Sequence, residues 1–371
     1  MALTPVVLAL NASGLATAQK VAAALGAQLH GREGRVAQAD AFFANTLDHA
    51  RDLFTAGVPI VGVCASGILI RAVAPLLADK TTEPPVVSVS DDGAVVVPLL
   101  GGHHGANRLA RDIAVALGGT AAVTTAGDVS LGVSLDEPPQ GWALVNRVDA
   151  KDAMAALLAG GGAAILGDEK AKASWLADLP AGDAVRLTCG IAPQVDLGSH
   201  HLQFAPQRVT VGVGCARNCP PQELEDLVRA ALSDAGVCDA AVHSVNTISL
   251  KADEPAILDL AASLGAPLRL FSAVELEAET PRLATPSDVV FAEVGCHGVS
   301  EAAALAQIGS DGALWVQKHK TANATVALGL SPEPMTSLQG TPRGRLSVVG
   351  IGPGQAAWRT PEVSRLVADA Q

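Results

Sequence analysis

The sequence predicts an α/β protein: two α/β sandwich domains joined by a smaller middle segment. Three observations carry this. Short apolar runs of strand length alternate with helical patterns over residues 4–128 and again over 208–330. Glycine-rich turns stand where strand patterns give way to helical ones, foremost Gly101-Gly102-His103-His104-Gly105. At 371 residues the chain is also too long for one ordinary core. The predicted organisation is an N-terminal α/β domain over 1–128, a middle or linker domain over 129–207, a C-terminal α/β domain over 208–330, a linker over 331–344, and the start of a further domain over 345–371.

Taken in order, Val6–Leu10 reads as a strand and Leu15–Leu25 as a helix, with Asn11-Ala12-Ser13-Gly14 as the turn between them. A helix over 44–55 precedes a strand over 58–63, which Cys64-Ala65-Ser66-Gly67 stops before a helix over 67–77. Strands over 85–90 and 94–99 are joined by Asp91-Asp92-Gly93, a hairpin signal. A helix over 106–117 and a strand over 121–124 follow. The two strand-to-helix turns at 64–67 and 101–105 are expected to gather at the carboxyl ends of the strands, where free N–H groups meet an acidic ligand.

Residues 129–207 are less regular, with only Ala163–Leu166 reading as a short strand after the Gly160-Gly161-Gly162 turn. The next α/β pattern opens at Val209–Gly214, a strand running into a glycine turn, and Pro220 and Pro221 suit the first turn of a helix over 221–235. Strands over 241–249, 267–271, 312–316 and 324–329 and helices over 288–294 and 298–308 complete it. Ser331–Arg343, rich in Pro, Ser and Thr, reads as an interdomain linker. The run from Leu346 to Gly354 then begins a strand and loop too short to fold alone, so the chain reads as the front of a longer fusion.

Composition excludes several classes. A net charge of −12 with no long basic block argues against general nucleic-acid binding. Aromatics are 3% of the chain and Tyr is absent, which leaves no stacking platform for bases. Six cysteines scattered over the chain make no disulfide framework and predict a reducing, cytoplasmic setting. The apolar start has no Lys or Arg before it, unlike a signal peptide, and no apolar run approaches the roughly 20 residues that span a bilayer.

Several side chains could carry chemistry. His103 and His104 lie among three glycines, in a loop expected at the surface, where an imidazole can activate water or donate a proton; the alternative is a solvated pair. Asn107 caps the next helix or orients a substrate carbonyl. Ser66 lacks the Gly-x-Ser-x-Gly spacing of a hydrolase nucleophile. With the amides of Gly67 and Ile68 it suits an anion nest or an N-cap, and Arg71, one turn later, faces the same anion or the solvent. Lys80 suits a helix C-terminus or a carboxylate contact. Lys251, Asp253 and Glu254 form a matching polar cluster or a capping sequence before Pro255; Glu301 and Lys318 are further candidates. Cys215 and Cys219 have no second pair at zinc-finger spacing, so no metal site is expected. Gly212-Val213-Gly214 lacks the third glycine of a dinucleotide fingerprint.

The runs Gly62–Lys80, Pro84–Val87, Leu99–Asn107 and Thr124–Asp128 together resemble the CbiG family of vitamin B12 biosynthesis. Gly212–Cys215, Ser249–Pro255, Val299–Ala303 and Lys318 with Asn323–Thr325 resemble its C-terminal domain. The resemblance implies a cobalt-precorrin-5A hydrolase, which opens the ring A lactone of a carboxylate-edged macrocycle and expels acetaldehyde. It implies no cofactor of the hydrolase's own, since cobalt arrives in the substrate, and a cobalt-corrinoid precursor as partner. On it, His103, Lys251 and Glu254 are assigned to catalysis, and Ser66, Gly67, Arg71, Lys80, Gly102, His104, Asn107 and Lys318 to substrate binding, in a cleft between the two α/β domains. The family loop more often reads Ser-Gly-His, a variable residue, then Gly-Gly-Ala-Asn. His103 aligns with its regular histidine and His104 with the variable position. Gly350-Ile351-Gly352-Pro353-Gly354 resembles the opening of a tetrapyrrole methylase, which implies a precorrin-3B C-17-methyltransferase partner needing S-adenosylmethionine, present here only in its first elements. The competing reading is a non-catalytic module that binds corrinoid intermediates and passes them to that methylase.

Overall fold

A computed structural model describes residues 4–79, 82–195, 198–344, 348–351, 360 and 363, with the backbone alone for His103 and Ala126. They fall into two compact units, one of the residues up to Val129 together with those after Gly344, and one spanning Ser130–Gly344. Among the described residues, no helix is long and apolar enough to cross a membrane.

The first unit is built from strands β1 (Val6–Ala9), β2 (Gln28–Arg32), β3 (Ala41–Phe43), β4 (Ile60–Val63), β5 (Val86–Val89), β6 (Val95–Leu100) and β7 (Thr120–Ala121). Between and after them lie helices α1 (Leu15–Leu25), α2 (Thr46–Thr55), α3 (Ser66–Val73), α4 (Ala106–Leu117) and α5 (Ala126–Leu131). The seven strands form one sheet in the order β3-β2-β1-β4-β5-β6-β7. Strands β1 and β4 are buried at every position, as parallel strands covered on both faces must be. Ala18, Val21 and Ile113 of α1 and α4 cover Val7, Val61 and Val87 on one face. Ala50, Phe54, Leu69 and Val73 of α2 and α3 cover Val6, Leu8 and Ile60 on the other. Strands β2 and β3 are the elements that the sequence pattern does not announce. They are short and lie at the sheet edge, and the Gln28-Leu29-His30 run carries polar residues, His30 among them with its Nδ1 2.9 Å from His49 Nε2.

One pairing corrects the expected site. The Asp91-Asp92-Gly93 turn reverses the chain, so β6 runs antiparallel to β5, with Val86 opposite Leu100, while β4 and β5 are parallel, with Ile60 opposite Val86. The end of β6 therefore stands beside the beginning of β5, at the same sheet edge as the beginning of β4. The glycine-histidine loop lies on the opposite sheet edge from Cys64–Gly67, and the two turns do not share one carboxyl edge.

In the second unit, residues 130–207 are more than a linker. They hold β8 (Trp142–Leu144), α6 (Ala150–Leu158), β9 (Ala163–Leu166), β10 (Val185–Cys189) and β11 (His201–Pro206), paired as a sheet in the order β8-β11-β10-β9. Trp142, Leu176, Leu187, Leu202 and Phe204 form its core. The next sheet comprises β12 (Val209–Cys215), β13 (Val242–Ile248), β14 (Leu268–Phe271), β15 (Ala313–Lys320), β16 (Ala324–Leu330) and β17 (Thr341–Pro342) in the order β15-β16-β12-β13-β14-β17. Its helices are α7 (Pro221–Asp234), α8 (Pro255–Ser263), α9 (Ala273–Glu277), α10 (Asp288–Val294) and α11 (Ser300–Ile308). Leu224, Val228, Ile257 and Leu260 of α7 and α8 pack with Val211, Val213 and Val245.

The stretch 331–344, expected to be a linker, is instead stitched onto this unit. Met335 N–H donates to Gln207 O at 3.0 Å, Arg269 Nε to Gln339 O at 2.7 Å, and His243 Nε2 to Ser337 O at 3.0 Å; β17 pairs with β14. Its polar composition reflects a different duty from solvation. Its main chain supplies acceptors to buried Arg269 and His243, whose desolvation would otherwise be uncompensated. Leu346, Ser347 and Gly352–Gly354, where the sequence predicts a further strand and glycine loop, lie outside the described residues.

Candidate functional site

At the edge where β1 and β4 end, Ser66 opens α3 as its first helical residue. The N-cap is Ala65 and no side chain caps that helix, so the expected capping role of Ser66 falls away. Arg71 Nη1 folds back to donate to Gly67 O at 3.0 Å, and a Cβ on Gly67 would lie 2.8 Å from that nitrogen. Ser66, Gly67 and Arg71 are thus neighbours. The same edge also holds Asp91, which accepts from Ser13 Oγ and stands against Gly14.

The opposite edge carries the glycine-histidine loop. Gly101 has φ +73°, and a Cβ there would lie 2.8 Å from the Pro85 backbone, so only glycine fits. His104 N–H and Ala106 N–H both donate to Gly101 O, closing the loop, and His104 is exposed. The His103 side chain lies outside the described residues. Asn107 neither caps α4, whose N-cap is Gly105, nor stands free for a carbonyl. It is 5% exposed, and its Nδ2 donates to Thr125 Oγ1 at 2.7 Å and Asp128 Oδ2 at 2.9 Å. Thr125 Oγ1 donates to the same Asp128 oxygen at 2.6 Å, and Arg111 pairs with the other. Asn107 therefore ties the Thr124–Asp128 segment to the loop. Gly102 lies against it, since a Cβ there would be 3.6 Å from Asn107 Nδ2. Thr125 and Asp128 are residues that motif reading leaves without a role, although Thr124–Asp128 follows β7 at the very edge where β6 ends.

The second unit holds a cleft of ≈ 510 Å³ lined by Lys251, Lys318, Lys320, Glu301, Cys215 and Thr325 among others. Strand β12 delivers Cys215, the turn after β13 delivers Lys251, and β15 delivers Lys318 and Lys320, so residues distant in sequence meet through sheet pairing alone. Lys251 is 15% exposed at its side chain, with Nζ 4.0 Å from Glu254 Oε2; Arg217 Nη1 is 3.7 Å from that oxygen. Glu254 occupies the N-cap position of α8 without capping it. Its side chain is 2% exposed, and its Oε1 accepts no hydrogen bond among the described residues, so it acts as a buried counter-ion. Asp253 is exposed, and its hydrogen bond from Arg217 holds its carboxyl below the usual range. Lys318 donates its N–H to Glu301 Oε1 at 2.9 Å and its Nζ to Thr285 O at 3.2 Å. Thus the cleft assembles Lys251 and Lys318 with Glu254 beside Lys251, whereas Lys80 lies outside the described residues. Three ammonium groups around one concavity suit carboxylate ligands.

Cys215 is a neutral wall of this cleft. Burial, then Cys219, pushes its thiol up to about 12 against the opposing pull of Lys251. Among the described residues, no group of three or more His, Cys, Asp or Glu side chains is placed to hold a metal ion. At pH 8 the thiolate fraction of Cys215 is expected to be about 10⁻⁴. Iodoacetamide followed by peptide mass mapping should leave it unlabelled on the time scale that labels free cysteine; rapid stoichiometric labelling would contradict the burial argument.

Residues 48–128 match the family Cobalamin synthesis G N-terminal, and residues 209–329 match Cobalamin synthesis G C-terminus. These spans contain the glycine-histidine loop and the lysine cleft, respectively. The chain is 30% identical over 320 residues to the cobalt-precorrin-5A hydrolase of Salmonella typhimurium, covering 79% of this chain and 86% of that one. It is 28% identical over 303 residues to the cobalt-precorrin-5A hydrolase of Priestia megaterium, covering 76% and 80%. Protein CobE of Sinorhizobium sp. is 44% identical over 133 residues, covering 35% of this chain and 86% of that one. With identity at this level over most of both chains, and both family domains in place around these residues, the chain belongs to the cobalamin synthesis G (CbiG) family.

Proposed function

We propose that the chain is a hydrolase of cobalamin biosynthesis that converts cobalt-precorrin-5A to cobalt-precorrin-5B, opening the ring A lactone and releasing acetaldehyde. The observation that carries this is the 30% identity to the Salmonella typhimurium hydrolase across 79% of the chain. The cleft supports it chemically. Lys318 presents an ammonium group to the acetate and propionate edges of the macrocycle, and Lys251, with Glu254 behind it, is our choice for stabilising the charge that develops as the lactone opens. Lactone opening needs a directed water, and expulsion of the two-carbon fragment needs a proton delivered to it. His103, on the glycine loop that Asn107 and Asp128 brace from the side, is our choice for that acid or base, and Ser66, Gly67 and Arg71 for a further carboxylate contact. The cobalt is cargo of the substrate, and the hydrolase takes no cofactor of its own in this reading. Six free thiols fit a reducing cytoplasm. The segment from Leu346 we read, on its sequence, as the opening of a tetrapyrrole methylase that would use S-adenosylmethionine.

Incubation of the purified chain with cobalt-precorrin-5A, and separately with its cobalt-free counterpart, tests the reading. Acetaldehyde is measured through NADH oxidation by added alcohol dehydrogenase. Release of one equivalent from the cobalt form, and its loss in His103→Ala, is the expected result. Tight pigment binding with no aldehyde at any protein concentration would instead make the chain a carrier of intermediates.

A further inference from the structure

We infer that Glu301 is a positioning residue, whose buried carboxylate sets Thr285 and Lys318 as one wall of the cleft against which a substrate carboxylate is seated. This rests on the hydrolase reading for the identity of the ligand, and on geometry for the role. Glu301 lies in the first turn of α11 and is 1% exposed. Its Oε2 accepts from Ala284 N–H and Thr285 N–H, each at 2.9 Å. Its Oε1 accepts from Thr285 Oγ1 at 3.1 Å and from Lys318 N–H at 2.9 Å.

These four bonds occupy the acceptor capacity of the carboxylate. They also close a ring, because the Thr285 carbonyl, fixed by its own residue's two bonds to Glu301, receives Lys318 Nζ at 3.2 Å. Both residues so held line the cleft. A carboxylate buried only to stabilise α11 would gain from the helix N-terminus alone. This one spends all its contacts on the two segments, 284–285 and β15, that carry the wall. Without it, Lys318 would lose its place, and a long, flexible ammonium binds less when it must be ordered by the ligand.

Glutamine tests this, since its amide offers one acceptor oxygen and turns two N–H donors toward donors already present. Glu301→Gln is expected to raise KM for cobalt-precorrin-5A about tenfold with kcat nearly unchanged, the scale of one charge-assisted hydrogen bond. Lys318→Met should do the same, and the double variant should be no worse than the poorer single one. Thr285→Val, which keeps the backbone N–H bond and removes only the hydroxyl, should move KM in the same direction by about two- to threefold. It supplies the test should Glu301→Gln fail to fold. Additive losses in the double variant, or a lowered Tm with unchanged KM, would overturn the inference. The same series is followed by absorbance titration of pigment binding, which needs no turnover. Binding without aldehyde release then refutes the hydrolase reading while Kd still decides the role of Glu301, and a parent chain that binds no pigment refutes both.

Discussion

Replacing Lys251 by alanine is expected to lower kcat for acetaldehyde release by about 10²–10⁴, the range that a positioned proton-transfer or charge-stabilising group supplies. Pigment binding should persist, weakened, because Lys318 and Lys320 remain in the cleft. The prediction follows from the asymmetry of the cluster. Lys318 leans on a backbone carbonyl, whereas Lys251 stands 4.0 Å from the carboxylate of Glu254, which is itself buried and, among the described residues, lacks a hydrogen-bond donor on one oxygen. Removing the ammonium leaves half-exposed Arg217 as the cation beside that carboxylate among the described residues, so some loss of stability accompanies the loss of rate. Steady-state kinetics and thermal unfolding on Lys251→Ala and the longer Lys251→Met separate the two. Activity within about threefold of the parent in the methionine variant would remove Lys251 from the chemistry.

The largest effect on folding is expected from Gly212→Ala. A Cβ there would lie 2.7 Å from Ala304 N and closer still to Ser300 O, both main-chain atoms of α11. Backbone cannot rotate aside as a side chain can, so α11 would have to lift away from β12 and uncover Ala302, Ala303 and Leu305, all buried. The cost should exceed about 4 kcal/mol, beyond ordinary overpacking. Gly198→Ala, with nothing within 4 Å of its Cβ among the described residues, should stay within about 0.5 kcal/mol of the parent. Urea denaturation of the two variants side by side checks both. A soluble Gly212→Ala chain with parent-like stability would show that the helix and strand are not pressed together there.

Gly212 also shows how a motif can be legible for the wrong reason. Val209-Thr210-Val211-Gly212-Val213-Gly214 reads as a strand entering a glycine turn, yet the strand continues to Cys215 and its glycines sit inside it. Gly212 admits the backbone of α11, and a Cβ on Gly214 would lie 2.9 Å from Thr325 Oγ1. Elsewhere the reading failed where composition and environment part company. Residues 331–344 are polar because their main chain serves buried Arg269 and His243, and residues 130–207 fold as a sheet although turns and prolines interrupt the pattern. Asn107 reads as a cap by its position after Gly105, but the side chain reaches across to Thr125 and Asp128, contacts that no local spacing encodes.

The sequence by itself determined much of the inventory of the two α/β patterns: which apolar runs become strands, and where most of the helices between them begin. Strand-length apolar runs and helix periodicity act over a few residues, so they are written in neighbouring letters. Only the tertiary structure decided which of those elements meet. The hairpin signal at Asp91-Asp92-Gly93 is plain in the letters, but its consequence depends on β5 lying between β4 and β6, and that pairing sends the histidine loop to the edge opposite Ser66. Lys251, Glu301 and Lys318 likewise become one cleft only because β15, β16, β12 and β13 are neighbours in one sheet. Strand order is settled by which apolar faces bury one another across the whole unit, a condition on the assembled chain that no window of sequence contains.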